Sequence, residues 1–157
     1  LKNISTSSPK FSIDILKNLN KNILELYELK DVASRIKSIN NFYPEDKVWK
    51  FVKNNIYFLY EIKNWIDVIN IENNYDKQNL DNMNFIDIAI EVLPDEPFNE
   101  NTWEQWTDLI NKKTGLNGKN LFMPLRLLLT GMSKGPELKY LLPLLNKRKI
   151  LKKFGKS

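Results

Sequence analysis

Apolar positions recur at helical spacing along most of the chain, and no clean alternating stretch appears. The pattern therefore predicts helices and no strands. Residues 1–10 are polar, include Ser7-Ser8-Pro9, and read as a linker. Ser12 is placed to cap a helix through about Leu29, with Ile13, Leu16, Ile23, Leu26 and Tyr27 as buried positions. Asp31 is placed to cap a second helix that sets Val32, Ile36 and Ile39 on one face. Pro44 suits the first turn of a third, which would bury Val48, Phe51, Val52, Ile56 and Leu59. Ile62, Trp65, Ile66 and Ile69 continue a helical stripe. Residues 71–80 are polar and rich in Asn, so they read as a loop. Phe85, Ile88, Ala89 and Val92 mark another helix.

Leu93-Pro94-Asp95-Glu96-Pro97 breaks the pattern, because two closely spaced prolines cost a helix its backbone hydrogen bonds. A boundary is expected there, between a helical unit over 11–93 and a second over 98–157. Thr102-Trp103-Glu104-Gln105 fits a capping box. Its helix should run to about Lys113 and stop at Gly115. Leu121 to Thr130 reads as a short apolar helix ended by Gly131. Pro136 can open the next helix, and Pro143 should kink or end it. Asn146 reads as a turn before a last basic helix, Lys147 to Phe154. The expected fold is all-α, built from two small helical bundles.

Composition narrows the chemistry. The chain has 157 residues, 42% of them hydrophobic, enough for a real core. No apolar run approaches the roughly 20 residues of a membrane helix. The chain opens on Leu1 rather than Met, as expected of a piece cut from a longer protein. There is no Cys and no His, so disulfides, Cys/His zinc sites, and thiol or imidazole catalysis are excluded. The lack of Cys fits a cytoplasmic protein.

Charge is uneven. Residues 1–110 carry 12 Lys and Arg against 18 Asp and Glu, whereas residues 111–157 carry 12 against Glu137 alone. A basic block this one-sided fits a polyanionic partner, since each phosphate contact releases condensed counterions. A solvated basic tail is the plainer reading. Arg occurs only at 35, 126 and 148; Lys supplies the other 21 positive charges. An Arg in such a background is the less casual choice.

Two stretches look like motifs and fail. Gly115-Leu116-Asn117-Gly118-Lys119-Asn120 has two residues between its glycines and no Ser or Thr after Lys119, so it is a turn and not a phosphate loop. Gly131-Met132-Ser133-Lys134-Gly135 lacks the first Lys and last Ser of the class I synthetase lid signature. Trp49, Trp65, Trp103 and Trp106 sit at helical spacing, where aromatics are more often core than base-stacking platforms.

One string is more specific. Lys119-Asn120-Leu121-Phe122-Met123-Pro124-Leu125-Arg126-Leu127-Leu128-Leu129-Thr130-Gly131, followed by Gly135-Pro136-Glu137-Leu138 and Leu141-Leu142-Pro143-Leu144-Leu145, resembles the C-terminal signature of bacterial glutamyl-tRNA synthetases. Trp103, Trp106 and Thr114-Gly115 match the same region. Ser8-Pro9-Lys10-Phe11 resembles the segment just after the family's catalytic lid, and 48–65 its middle helical region. Asn146 stands where the family usually has Gly, and Asn tolerates the left-handed conformation.

The resemblance implies the helical half that holds the tRNA anticodon arm. An absent catalytic half would use ATP and Mg to attach glutamate, so this chain by itself would be non-catalytic and need no cofactor. Carried over by residue, Arg126 would read an anticodon base. Pro136, Leu138 and the backbone of Gly135 would form the turn beside it, and Lys53 would act near the first anticodon base. Lys119, Lys134, Lys147, Arg148 and Lys149 would hold phosphates. The expected partner is a glutamate-accepting tRNA, with glutamine-accepting tRNA left open. Neither DNA nor a membrane is expected, and the protein should be a monomer. A competing reading is a helical, basic nucleic-acid- or protein-binding module unrelated to aminoacylation. A stand-alone enzyme lacks a cluster of catalytic groups.

Overall fold

The structure, a computed structural model, describes residues 12–70 and 83–156. The described residues form α-helices and short 3-10 turns, with no strand among them. The helices are α1 (Ile13–Leu26), α2 (Leu29–Asn40), α3 (Asp46–Val52), α4 (Ile62–Asn70), α5 (Met83–Glu91), α6 (Thr102–Thr114), α7 (Gly118–Thr130), α8 (Leu138–Leu141) and α9 (Lys147–Lys153). The all-α expectation is met. The expected linker at 1–10 and the loop at 71–80 lie outside the described residues.

Local chemistry sets most boundaries. Ser12 Oγ accepts from the Asp14 and Ile15 N–H groups and starts α1 as expected. The helix then ends at Leu26, because Tyr27 is extended and its carbonyl accepts from Trp49 Nε1 at 3.0 Å. Asp31 does not cap α2. It is the third helical residue, and its carboxylate accepts from the N–H of Glu28, which is the cap. Pro44 precedes the cap Glu45 and stays outside α3. The third helix is interrupted after Val52 by a 3-10 turn (Lys53–Asn55), so Ile56 and Leu59 reach the core from outside it. Thr102 also falls short of its expected role. Asn101 is the cap, and Thr102 Oγ1 accepts from the N–H of Asn99 instead. Gly115 and Gly131 end α6 and α7 in the left-handed region. At Pro143, α8 gives way to a 3-10 turn (Leu142–Leu144). Asn146 is extended, not left-handed, and caps α9 by accepting from the Lys149 N–H at 2.8 Å.

The buried side chains form one cluster from Leu24 to Phe154. Trp106 ties three elements together. It is fully buried on α6, its Nε1 donates to the Ala89 carbonyl on α5 at 2.8 Å, and its ring stacks on Phe154 beyond α9. Trp49 is enclosed as well, while Trp65 and Trp103 pack against the cluster.

The burial expected of α1 is not found. Ile13, Leu16, Ile23 and Leu26 are exposed, Leu26 by 82%, and only Leu24 is buried. The apolar stripe is real, but α1 meets the rest of the fold mainly at the Lys53–Asn55 turn, along its Leu24 side. Its Asn20 amide donates to the Tyr57 carbonyl. Ile39 is exposed on α2 in the same way, while Val32 and Ile36 are enclosed.

Candidate functional site

The loop between α7 and α8 is anchored from both sides. Thr130, the last residue of α7, donates its hydroxyl to the Arg126 carbonyl at 2.7 Å. The same Oγ accepts from the Met132 N–H at 3.1 Å, which sets the chain's exit from the helix. Arg126, one turn earlier, donates from Nη2 to the Pro136 carbonyl at 3.0 Å. Residues 131–136 thus close into a loop held by an α7 side chain at each end.

Gly135 sits against the ring of Trp65 on α4. A Cβ there would stand 2.7 Å from Trp65 Cη2 and 3.6 Å from Arg126 Nη1. Its φ of +148° also disfavours any other residue. Trp65 is held edge-on by Phe51. Three sequence-distant pieces therefore meet at one spot: the Arg126 guanidinium, the Gly135-Pro136 turn and the Trp65 ring.

Among the described residues, no carboxylate pairs with Arg126. The acid available nearby in sequence, Glu137, pairs with Lys139 at 2.8 Å and raises its pKa mainly through that hydrogen bond. Burial lowers the Arg126 pKa from its usual value. Its Nη1 is enclosed and has no hydrogen-bond partner among the described residues. Such an atom costs about 1–3 kcal/mol unless something accepts from it. The guanidinium does not stand free at the helix edge; it lies half-buried beneath the turn.

A family model described as "Anticodon binding domain" matches residues 25–156. The chain belongs to that family. Similar proteins include "Glutamate--tRNA ligase 1" of Ehrlichia ruminantium (strain Welgevonden), 36% identical over 94% of this chain and 33% of that protein. "Glutamate--tRNA ligase 2" of Rickettsia canadensis (strain McKiel) is 34% identical over 98% of this chain and 34% of that protein. This anticodon-binding domain thus spans about a third of the length of the curated relatives it matches. Among solved structures, the glutamate-tRNA synthetase from Elizabethkingia anophelis superposes with a TM-score of 0.71 at 19% identity, covering 92% of this chain and 31% of that one. That likeness concerns the fold.

Within the domain, the expected site residues do not all gather. Arg126, Gly135 and Pro136 do. Leu138 opens α8 beside them, but its side chain is buried in the core, so only its backbone is available to a ligand. Lys53 lies at the turn that packs on α1. Lys134 is exposed on the loop itself, and Lys119 is exposed in the first turn of α7. Lys147 and Arg148 are exposed at the start of α9, where the Lys147 N–H donates to the Glu96 carboxylate. Lys149 reaches back to α4 and donates to Asn70 Oδ1 at 3.0 Å.

Sequence reasoning missed Lys153. It belongs to the basic helix, yet it is only 2% exposed and donates to the Val68 carbonyl on α4 at 2.6 Å. Burial and then repulsion from Lys149 push its pKa down to about 8. The available signal was the spacing Lys149, Lys152, Lys153, which sets these cations on one helix face. Among the described residues, no cluster of His, Cys, Asp or Glu could hold a metal, and no helix is long and apolar enough to cross a membrane.

Proposed function

We propose that this chain recognises the anticodon arm of tRNA as the C-terminal part of a glutamate–tRNA ligase. The observation that carries the reading is the enclosed Arg126 Nη1, a donor with no partner among the described residues, beside a glycine turn. An anticodon base has acceptors on its edge, and an unstacked base can reach a site that a duplex cannot. Movement of the Gly135-Pro136 turn by a small amount would let a base edge accept from Nη1. The Pro136 and Leu138 backbones then wall the site, and Lys119, Lys134, Lys147, Arg148 and Lys149 hold phosphates. The similarity to glutamate–tRNA ligases supports this reading over a basic module unrelated to aminoacylation.

The parent enzyme would attach glutamate using ATP and Mg bound in its catalytic part, in the cytoplasm and as a monomer. This chain alone would neither bind that cofactor pair nor activate glutamate. The break at Leu93 to Pro97 would divide it into helical units over 11–93 and 98–157. Lys53 would act on the first anticodon base, as a poorer two-pronged reader than Arg. It would thereby affect the choice between glutamate- and glutamine-accepting tRNA.

The test compares wild type with Arg126→Ala on cognate and anticodon-substituted tRNA at several salt concentrations. Loss of a base contact should weaken the cognate complex by about 1–3 kcal/mol and leave the substituted tRNAs nearly unchanged. An equal loss for all tRNAs, with a shallower salt slope, would make Arg126 a phosphate contact and favour the unrelated basic module.

A further inference from the structure

Gly135 lies between an indole and a guanidinium. A Cβ on it would stand 2.7 Å from Trp65 Cη2, 3.3 Å from Trp65 Cζ3 and 3.6 Å from Arg126 Nη1, so the indole edge leaves room for backbone alone. The next residue, Pro136, is buried, and its carbonyl accepts from Arg126 Nη2 at 3.0 Å. We propose that Trp65 is a positioning residue for base reading, whose ring edge holds the Gly135-Pro136 turn where the Pro136 carbonyl fixes the Arg126 guanidinium. This rests on the reading of Arg126 as the base contact and adds to it a residue that acts without touching the base.

Each link in this series of contacts is stiff. Phe51, 1% exposed, meets the Trp65 ring edge-on with 5.6 Å between centroids, so the indole is backed by the core. Trp65 in turn leaves the Gly135 backbone no room to sink toward α4. Thr130 holds the other end of the loop, through the Arg126 carbonyl and the Met132 N–H. A guanidinium is a planar fork, so a bond made by Nη2 also restricts where Nη1 points. Nη1 is the enclosed donor with no partner among the described residues. A reader held in place before binding loses less freedom when the base arrives.

α4 precedes the break at Leu93 to Pro97, and α7 follows it. Through Trp65, the first run of helices sets the geometry of a reader carried by the second.

The experiment measures the affinity of cognate and anticodon-substituted tRNA for wild type, Trp65→Phe, Arg126→Ala and the double variant. Cη2 and Cζ3 belong to the outer ring of the indole, which phenylalanine lacks, so Trp65→Phe withdraws the contact with Gly135 and keeps an aromatic ring against Phe51. Any unfolded fraction lowers both affinities by the same factor, so the ratio between the two tRNAs reports reading and not stability. Trp65→Phe should reduce that ratio by about fivefold, the lower end of what a base contact contributes. Trp65→Met, which fills the space with a flexible chain, should behave alike and serves if the first variant does not fold. The double variant should have the same ratio as Arg126→Ala alone, because Trp65 acts through Arg126. A ratio kept in both Trp65 variants but lost in Arg126→Ala overturns the positioning role and leaves the base reading intact. Additive losses in the double variant also overturn it, since Trp65 would then meet the base itself. A ratio kept in Arg126→Ala defeats the base reading on which the role rests.

Discussion

Lys153 offers the sharpest energetic test of the fold. The residue is 2% exposed, and its pKa is depressed from 10.5 to about 8. At about 1.4 kcal/mol per pH unit, that difference means the charged form destabilises the folded state by about 3 kcal/mol. The sign follows from proton counting. Between pH 8 and 10.5 the unfolded chain holds the proton and the folded chain releases it, so stability rises with pH through that window. Below pH 8 both states are protonated and the full penalty stands. Between pH 7 and 9.5 the wild type should therefore gain about 2 kcal/mol from this group. Lys153→Met keeps the length and removes the charge. It leaves the Val68 carbonyl without its lysine donor, a loss of about 1–3 kcal/mol, so at pH 7 the variant should be between equal in stability to wild type and about 2 kcal/mol more stable. Urea unfolding followed by far-ultraviolet circular dichroism at both pH values gives the comparison. Other lysines and the tyrosines titrate in both proteins and cancel in the difference. A difference that stays flat from pH 7 to 9.5 would refute the buried-ammonium argument, because Lys153 would then keep its proton in both states.

Three further outcomes follow from the packing. Gly135→Ala places a Cβ 2.7 Å from Trp65 Cη2 at a φ of +148°, so urea unfolding should show a loss of about 1–3 kcal/mol. Trp106→Phe removes the donor to the buried Ala89 carbonyl and opens space beside Phe154; it should cost about 2–4 kcal/mol in the same assay. Leu26→Ser, at an apolar position that is 82% exposed, should change stability by no more than about 0.5 kcal/mol.

The helical class and several of its stops were legible because they depend on neighbours in sequence. Ser12 caps α1, Gly115 and Gly131 end their helices, and Trp49 and Trp106 lie in the core. The failures have a common physical origin. Periodicity identifies an apolar face but not what lies against it, so α1 read as buried while its stripe stands exposed. Asp31 and Thr102 are typical capping residues, yet each sits inside its helix, because Glu28 and Asn101 take the cap positions. At the candidate site, the resemblance picked out Arg126, but its partner is a backbone carbonyl, to which no residue type points. Trp65 read as core, and nothing local linked it to a glycine 70 positions later. Nothing in the sequence sets Lys153 apart from the other lysines of the last helix, because its burial depends on how α9 lies across α4.

The contact between Gly135 and Trp65 makes the protein its own spectroscopic probe. Two of its indoles, Trp49 and Trp106, are sealed in the core and should be insensitive to events at the surface. Trp65 is only half-covered, and its ring edge lies directly under the Gly135-Pro136 turn. Lifting that turn exposes the ring edge to water, which shifts indole emission to longer wavelength. Displacement of the turn by a bound base would thus be read as a colour change in unlabelled protein, and the change should vanish in Trp65→Phe.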